Sequence, residues 1–236
     1  MFRKFIKTAD KTLDTAVLIV SLLFFLICIY AMVDAVMVYY NANDTSMLKY
    51  KPTLSDTEML KELSDDAVAW LTVDNTKIDY PVMQGKDNSE YLNRDPYGKY
   101  SLSGSIFLDS RCKRDFTDKY SLIYGHHMEY GAMFGALDEF AKREYFDSHR
   151  TGTLITVGGT AYKIDFFACT KAQATEAVVF NPEESERAQL LAFLKKNAII
   201  YEEAAEGKPI IALSTCQSAE NIERMIVIGT MTEIKK

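Results

Sequence analysis

The sequence is short of several things, and each shortage excludes something. It has four cysteines, at positions 28, 112, 169 and 216. They are too few and too scattered for a disulfide framework. No Cys-x-x-Cys pair occurs, so the usual thiolate zinc arrangements are missing. Whether Cys112 and Cys169 pair depends on a Cα separation that sequence does not give. Acidic residues outnumber basic ones, for a formal net charge of -6, which argues against a nucleic-acid partner. There is no long internal repeat and no low-complexity tract. Only one apolar run is long enough to cross a bilayer, which excludes a multi-spanning protein. At 48% hydrophobic and 25% charged residues, 236 residues can form one ordinary domain with appendages, and wholesale disorder is excluded.

The apolar run lies near the start. Residues Thr15 to Val33 carry no charge. As a helix they extend about 29 Å, close to the thickness of a bilayer core. Arg3, Lys4, Lys7 and Lys11 precede them. By the positive-inside rule the N-terminus is cytoplasmic and the rest lies outside. Tyr30, Tyr39 and Tyr40 suit an interfacial belt. A cleaved signal peptide is the alternative, but the run exceeds the usual apolar region and no clear small-x-small site follows. The expected organisation is a cytoplasmic segment over 1–12, a membrane anchor over 13–40, a polar stalk over 41–54 and an extracellular domain over 55–236.

Beyond the stalk, Ser55 to Ser64 reads as a short amphipathic helix with Ser55 at the N-cap. Ala67 to Val73 and Ile78 to Met83 read as strands joined at Asp74-Asn75. Pro81 demotes the second to an edge or marks a bulge. Further strands are expected over 105–109, 120–124, 153–157, 160–170, 210–213 and 225–231, with the 153–170 pair turning at Gly158-Gly159. Asn88 to Asn93 reads as a helical turn, and helical spacing is read over Met133 to Phe140 and Glu183 to Asn197. About eight strands with short helices between them predict a mainly β fold, a closed or nearly closed barrel.

Three residues at strand ends carry the chemistry. Cys216 ends one apolar strand and Arg224 begins the next. His126 and His127 follow Gly125 at the end of a third. A thiol beside His and Arg is a strong nucleophile once ionised. Histidine can supply a general acid for a leaving amine, and arginine can hold an oxyanion. Together they suffice for acyl transfer. The plainer readings are a buried cysteine, a surface arginine and a loop or metal-binding His pair. Zinc would need a third ligand such as His149, which the spacing does not support.

These segments resemble the sortases, membrane-anchored cysteine transpeptidases of Gram-positive bacteria. The resemblance rests on Tyr124-Gly-His-His-Met128, Gly131-Ala-Met-Phe134, Leu213-Ser-Thr-Cys216 and Arg224-Met-Ile-Val-Ile-Gly229. Trp70-Leu-Thr-Val, Ile78-Asp-Tyr-Pro-Val, Lys86-Asp-Asn-Ser-Glu-Tyr-Leu and Gly104-Ser-Ile-Phe-Leu-Asp109 point to the class B branch. It covers roughly Leu63 to the C-terminus, and its specificity lies in the order and spacing of the motifs. It implies an eight-stranded sortase-type β-barrel with short peripheral helices, preceded by one N-terminal transmembrane helix. It implies Cys216 as nucleophile, His126 as catalytic histidine and Arg224 facing the thiol, with Ser214 and Thr215 lining a substrate groove. His127 falls where many relatives have Asn and takes no catalytic role. Gln217 and Ser218 stand where some class B members have an acidic residue. The expected partners are secreted proteins with a C-terminal Asn-Pro-x-Thr-type sorting motif, a peptidoglycan-precursor or pilin amine, and the lipid bilayer. No cofactor or metal is expected. The rival readings are a hydrolytic cysteine protease or amidase and a non-catalytic anchored surface protein.

Overall fold

In a computed structural model, the structure describes residues 2–42, 45–54, 56, 58–216 and 223–235, without the side chains of residues 2–9, 41 and 129. The Ser55 N-cap and the Gln217-Ser218 pair lie outside the described residues. The chain divides into two units, Met1–Asn41 and Ala42–Lys236.

The first unit is helical throughout its described residues, as helix α1 (Phe2–Ala42), whose last residue is counted with the second unit. Its segment Asp10–Tyr40 is long and apolar enough to cross a membrane, and Leu22, Phe24 and Ile27 are exposed along it.

The second unit is built from strands β1 (Ala67–Val73), β2 (Asp79–Met83), β3 (Ile106–Leu108), β4 (Tyr120–Gly125), β5 (Thr151–Thr156), β6 (Ala161–Gln173), β7 (Ile200–Tyr201), β8 (Ile210–Thr215) and β9 (Glu223–Glu233). The order β5-β1-β2-β3-β4-β8-β9-β6 closes through a β5–β6 pairing into an eight-stranded barrel, with the two-residue β7 added outside on β6. Closure removes the unpaired edges that would invite aggregation. The barrel is mixed, because β2 with β3 and β4 with β8 are parallel.

The apolar runs are continuous because both faces of these strands are buried. Ile123, Ile211, Leu213 and Val227 join residues from all the other barrel strands in one core. Their neighbours Leu122, Ala212, Ile226 and Ile228 turn the other way. That second face packs under α2 (Met59–Leu63), α4 (Ala177–Phe180) and α5 (Arg187–Asn197), together with Met47 from a 3₁₀ turn over Ser46–Tyr50. Helix α3 (Arg143–Ser148) instead adds Phe146 to the first core.

Three local readings change. Strand β2 is interior rather than an edge. Val73 donates to Ile78 O, so bonded pairs alternate and Pro81 opposes Trp70 at a non-bonded position where no N–H is needed. The bulge lies on β1, between Ala67 and Ala69. The 133–140 helix is a 3₁₀ segment over Gly135–Ala141, with Met133 at φ 49°. Phe134, Leu137 and Phe140 repeat at intervals of three, the period that aligns side chains in a 3₁₀ turn. Helix α5 starts at Arg187, four residues later than the acidic run suggests. The Asn181 carbonyl accepts from the backbone of Glu184 and Ser185, turning the chain there instead.

Cys112 and Cys169 are both free and buried in the barrel core. Burial pushes each thiol up to about 12 from an ordinary value of 9.0. Above pH 9 the unfolded chain loses these protons and the folded chain keeps them. This contribution is therefore full below pH 9 and lost as pH rises toward 12. Thermal midpoints under reducing conditions should hold to about pH 8 and fall through that window. The double variant Cys112→Ala/Cys169→Ala should fall less steeply, and equal slopes would refute the assignment.

Candidate active site

Strands β4 and β8 run parallel side by side, with Tyr124 opposite Ser214 and Gly125 opposite Thr215. Adjacent strands lie about 4.8 Å apart, so His126 and Cys216 leave neighbouring strand ends together. The Cys216 N–H donates to Gly125 O at 2.8 Å, carrying the pairing one residue further. On the other side of β8, Ser214 opposes Ile226, and the Met225 N–H donates to Thr215 Oγ1 at 3.0 Å. Continuing that register sets Arg224 across from Cys216.

Gly125 is required where it stands. A Cβ there would collide with Ile106 Cδ1 and come within 2.8 Å of the Phe134 ring. The glycine lets β4 run tightly against this packing immediately before His126.

The structure brings Cys216 and Arg224 to one cavity of about 290 Å³, whose wall also holds Asn88, Leu92, Phe107 and Tyr124. His126 flanks it, with Nε2 at 2.7 Å from Leu92 O. A carbonyl only accepts, so Nε2 carries the hydrogen and Nδ1 is the nitrogen left to exchange a proton. The guanidinium of Arg224 lies 4.9 Å from the Phe180 ring centroid and 5.6 Å from that of Tyr124. Its buried Nε makes no hydrogen bond among the described residues. A desolvated donor held between two rings can take a substrate carbonyl or oxyanion. Cys216 is half-buried, and burial pushes its thiol up to about 12 while the Arg224 charge works against that rise.

Ser214 and Thr215 are not brought to the cavity wall. Ser214 is fully buried with its hydroxyl donating to Thr215 O, and the Thr215 hydroxyl is the acceptor for Met225. His127 turns to a surface pair with Asp138, Nε2 to Oδ2 at 2.8 Å. His149 stacks on Tyr145 at 3.7 Å.

One participant was not legible as such. Asp109 is fully buried at the end of β3. Its carboxylate accepts from Tyr124 Oη, Asn88 Nδ2 and two guanidinium nitrogens of Arg111. Tyr124 and Asn88 are both cavity wall, so Asp109 braces two sides of the site at once. Burial alone would raise its pKa, but the Arg111 hydrogen bonds overcome that and hold it below the ordinary carboxylate value. A depressed pKa adds stability above the unfolded value, lost as pH falls through the folded one. Asp109→Asn strands Arg111 and should cost about 3 kcal/mol by urea unfolding, with a shallower acid decline than wild type. The available signal was a charge closing an apolar strand.

A closed mixed barrel with a cysteine, a histidine and an arginine at adjoining strand ends defines a class, the cysteine transpeptidases of the sortase type. Residues 71–232 match the sortase domain family, and the chain belongs to that family. It is a class B homologue: it is 33% identical to sortase B of Listeria monocytogenes over 73% of this chain and 72% of that protein. A class B sortase of Streptococcus pyogenes involved in pilus biogenesis superposes with a TM-score of 0.68 at 42% identity, covering 73% of this chain and 96% of that one. The Staphylococcus aureus sortase B–substrate complex gives 0.71 at 26% identity, covering 80% and 90%.

Proposed function

We propose that this transpeptidase is a single-pass membrane protein, N-terminus inside and barrel outside, that cleaves an Asn-Pro-x-Thr-type sorting signal through a Cys216 thioester and passes the acyl group to an amine. The supporting observation is the meeting of the β4, β8 and β9 ends beside one cavity. Cys216 gives its proton to His126 Nδ1 and attacks the threonine carbonyl. Arg224 holds the developing oxyanion. His126 returns the proton to the leaving amine, and the acyl-enzyme forms. An amine then resolves it. The chemistry calls for no cofactor. The single apolar helix and the basic residues before it support the topology. Similarity at 42% identity to a sortase involved in pilus biogenesis favours a lysine amine of a pilin over a wall-precursor amine.

The test uses the full chain in detergent micelles, a quenched peptide containing Asn-Pro-Gln-Thr-Asn, and added amine. Cleavage that yields an amine-linked product and a peptide adduct on Cys216 is expected. Cleavage to free acid alone, indifferent to amine, would support the hydrolytic reading instead.

A further inference from the structure

Helix α4 has only four residues, too few to hold itself in place, so its position is set by what its carbonyls meet. The Tyr120 hydroxyl donates to Val179 O at 2.8 Å. Arg111, in the connection between β3 and β4, donates through Nη2 to Phe180 O at 2.6 Å and through Nη1 to Asn181 Oδ1 at 3.2 Å. The same guanidinium donates to the Asp109 carboxylate through Nε at 2.9 Å and Nη2 at 2.7 Å. A guanidinium carries its N–H donors in one rigid plane, so it can tie all three partners at a fixed spacing.

These ties converge on Arg224. Its guanidinium lies 4.9 Å from the Phe180 ring centroid and 5.6 Å from that of Tyr124, both inside the reach of about 6 Å over which a ring face attracts a cation. Its buried Nε makes no hydrogen bond among the described residues, so the two rings are what steady it. Each ring is held from behind by one member of the same ion pair. Asp109 accepts from the Tyr124 hydroxyl at 3.1 Å, and Arg111 holds the Phe180 carbonyl. Arg111 is not part of the wall of the Cys216 cavity, so anything it does there it does through these neighbours.

From this we infer that Arg111 is a positioning residue for acyl transfer: through Asp109 it fixes the Tyr124 ring, through the Phe180 carbonyl it fixes the Phe180 ring, and so it holds Arg224 where the oxyanion forms. The inference rests on the oxyanion role proposed above for Arg224. It gives one ion pair, at the exit of β3, control over an arginine at the start of β9. It also explains why a charged side chain is spent on a backbone carbonyl of the β6–β7 connection. That bond joins the barrel to the one helical turn whose ring backs Arg224, and a charged donor makes it a strong one.

The test uses the full chain and compares single with paired variants. Arg111→Lys keeps a positive charge for Asp109, but its one nitrogen cannot span to the Phe180 carbonyl as well. It should lower kcat/KM for the quenched sorting peptide about 10- to 100-fold, the scale of a misplaced group. In the Arg224→Ala background the same substitution should change turnover less than about twofold, because the group it positions is gone. Phe180→Leu leaves the Asp109–Arg111 pair and the backbone tie in place and removes only the ring, and it should show the same dependence on Arg224. A second measurement needs no peptide. The pH profile of iodoacetamide labelling at Cys216, read by peptide mass, should move to higher pH in Arg111→Lys and should move no further once residue 224 is alanine. Losses of turnover that multiply in the paired variants, or a labelling shift of equal size in both backgrounds, would mark a general loss of structure. Either result would overturn the positioning role and leave the role of Arg224 standing. Wild-type turnover in Arg224→Ala would overturn both.

Discussion

Replacing Cys216 with alanine should abolish peptide cleavage, a drop of at least about 10⁴-fold in kcat/KM, while leaving the fold intact. Without the sulfur there is no nucleophile and no thioester, and the remaining positioning and electrostatic groups sustain only a small residue of the rate. The side chain is half-buried at the end of β8, so the thermal midpoint should change little. The checks are cleavage of the quenched peptide, intact-protein mass for an adduct, and a melting curve. Surviving turnover would sink the assignment. The wild-type thiol should also react slowly with iodoacetamide near neutrality. Its rate should climb about tenfold per pH unit toward about 12, because only the thiolate reacts. A rate already level at pH 8 would mean that Cys216 is ionised at rest.

Replacing Arg224 with alanine should lower kcat/KM by about 10²- to 10³-fold, the usual cost of one oxyanion donor. It should also act on the thiol. The arginine charge is what opposes the upward push of burial on Cys216, so its removal carries the thiol higher still. The alkylation profile should then move to higher pH, and at a fixed pH of 8 the variant should label more slowly. Arg224→Lys keeps a charge but loses the planar group that lies between Phe180 and Tyr124. It should recover part of the labelling rate and little of the turnover. Equal turnover in the lysine variant and wild type would show that charge alone suffices.

Much of this was readable beforehand, for physical reasons that differ by element. The apolar runs of β1, β8 and β9 stand out because both of their faces are buried. The Gly158-Gly159 turn is legible because Gly159 takes φ 86°. The neighbourhood of His126, Cys216 and Arg224 could be suspected because each closes or opens a strand. What could not be read was pairing across long stretches of chain: the parallel contacts of β2 with β3 and of β4 with β8 leave no local mark. Asp109, Leu92 and Phe180 were missed for the same reason. A buried carboxylate looks like a surface one until its partners are known, and Leu92 acts through a backbone carbonyl that any residue would supply.

Tyr120 pairs with Ile210, about 90 residues further along the chain. Bringing such distant segments together carries a loop-closure cost before any contact rewards it, and topologies of this kind fold slowly. Synthesis runs from the N-terminus, so β8 and β9 are the last strands made. Until they insert between β4 and β6, those two strands have open edges and the thiol has neither a histidine nor an arginine beside it. The enzyme is therefore latent during its own biogenesis. A chain still being made has no assembled centre, and reactivity begins only when the final strands lock in.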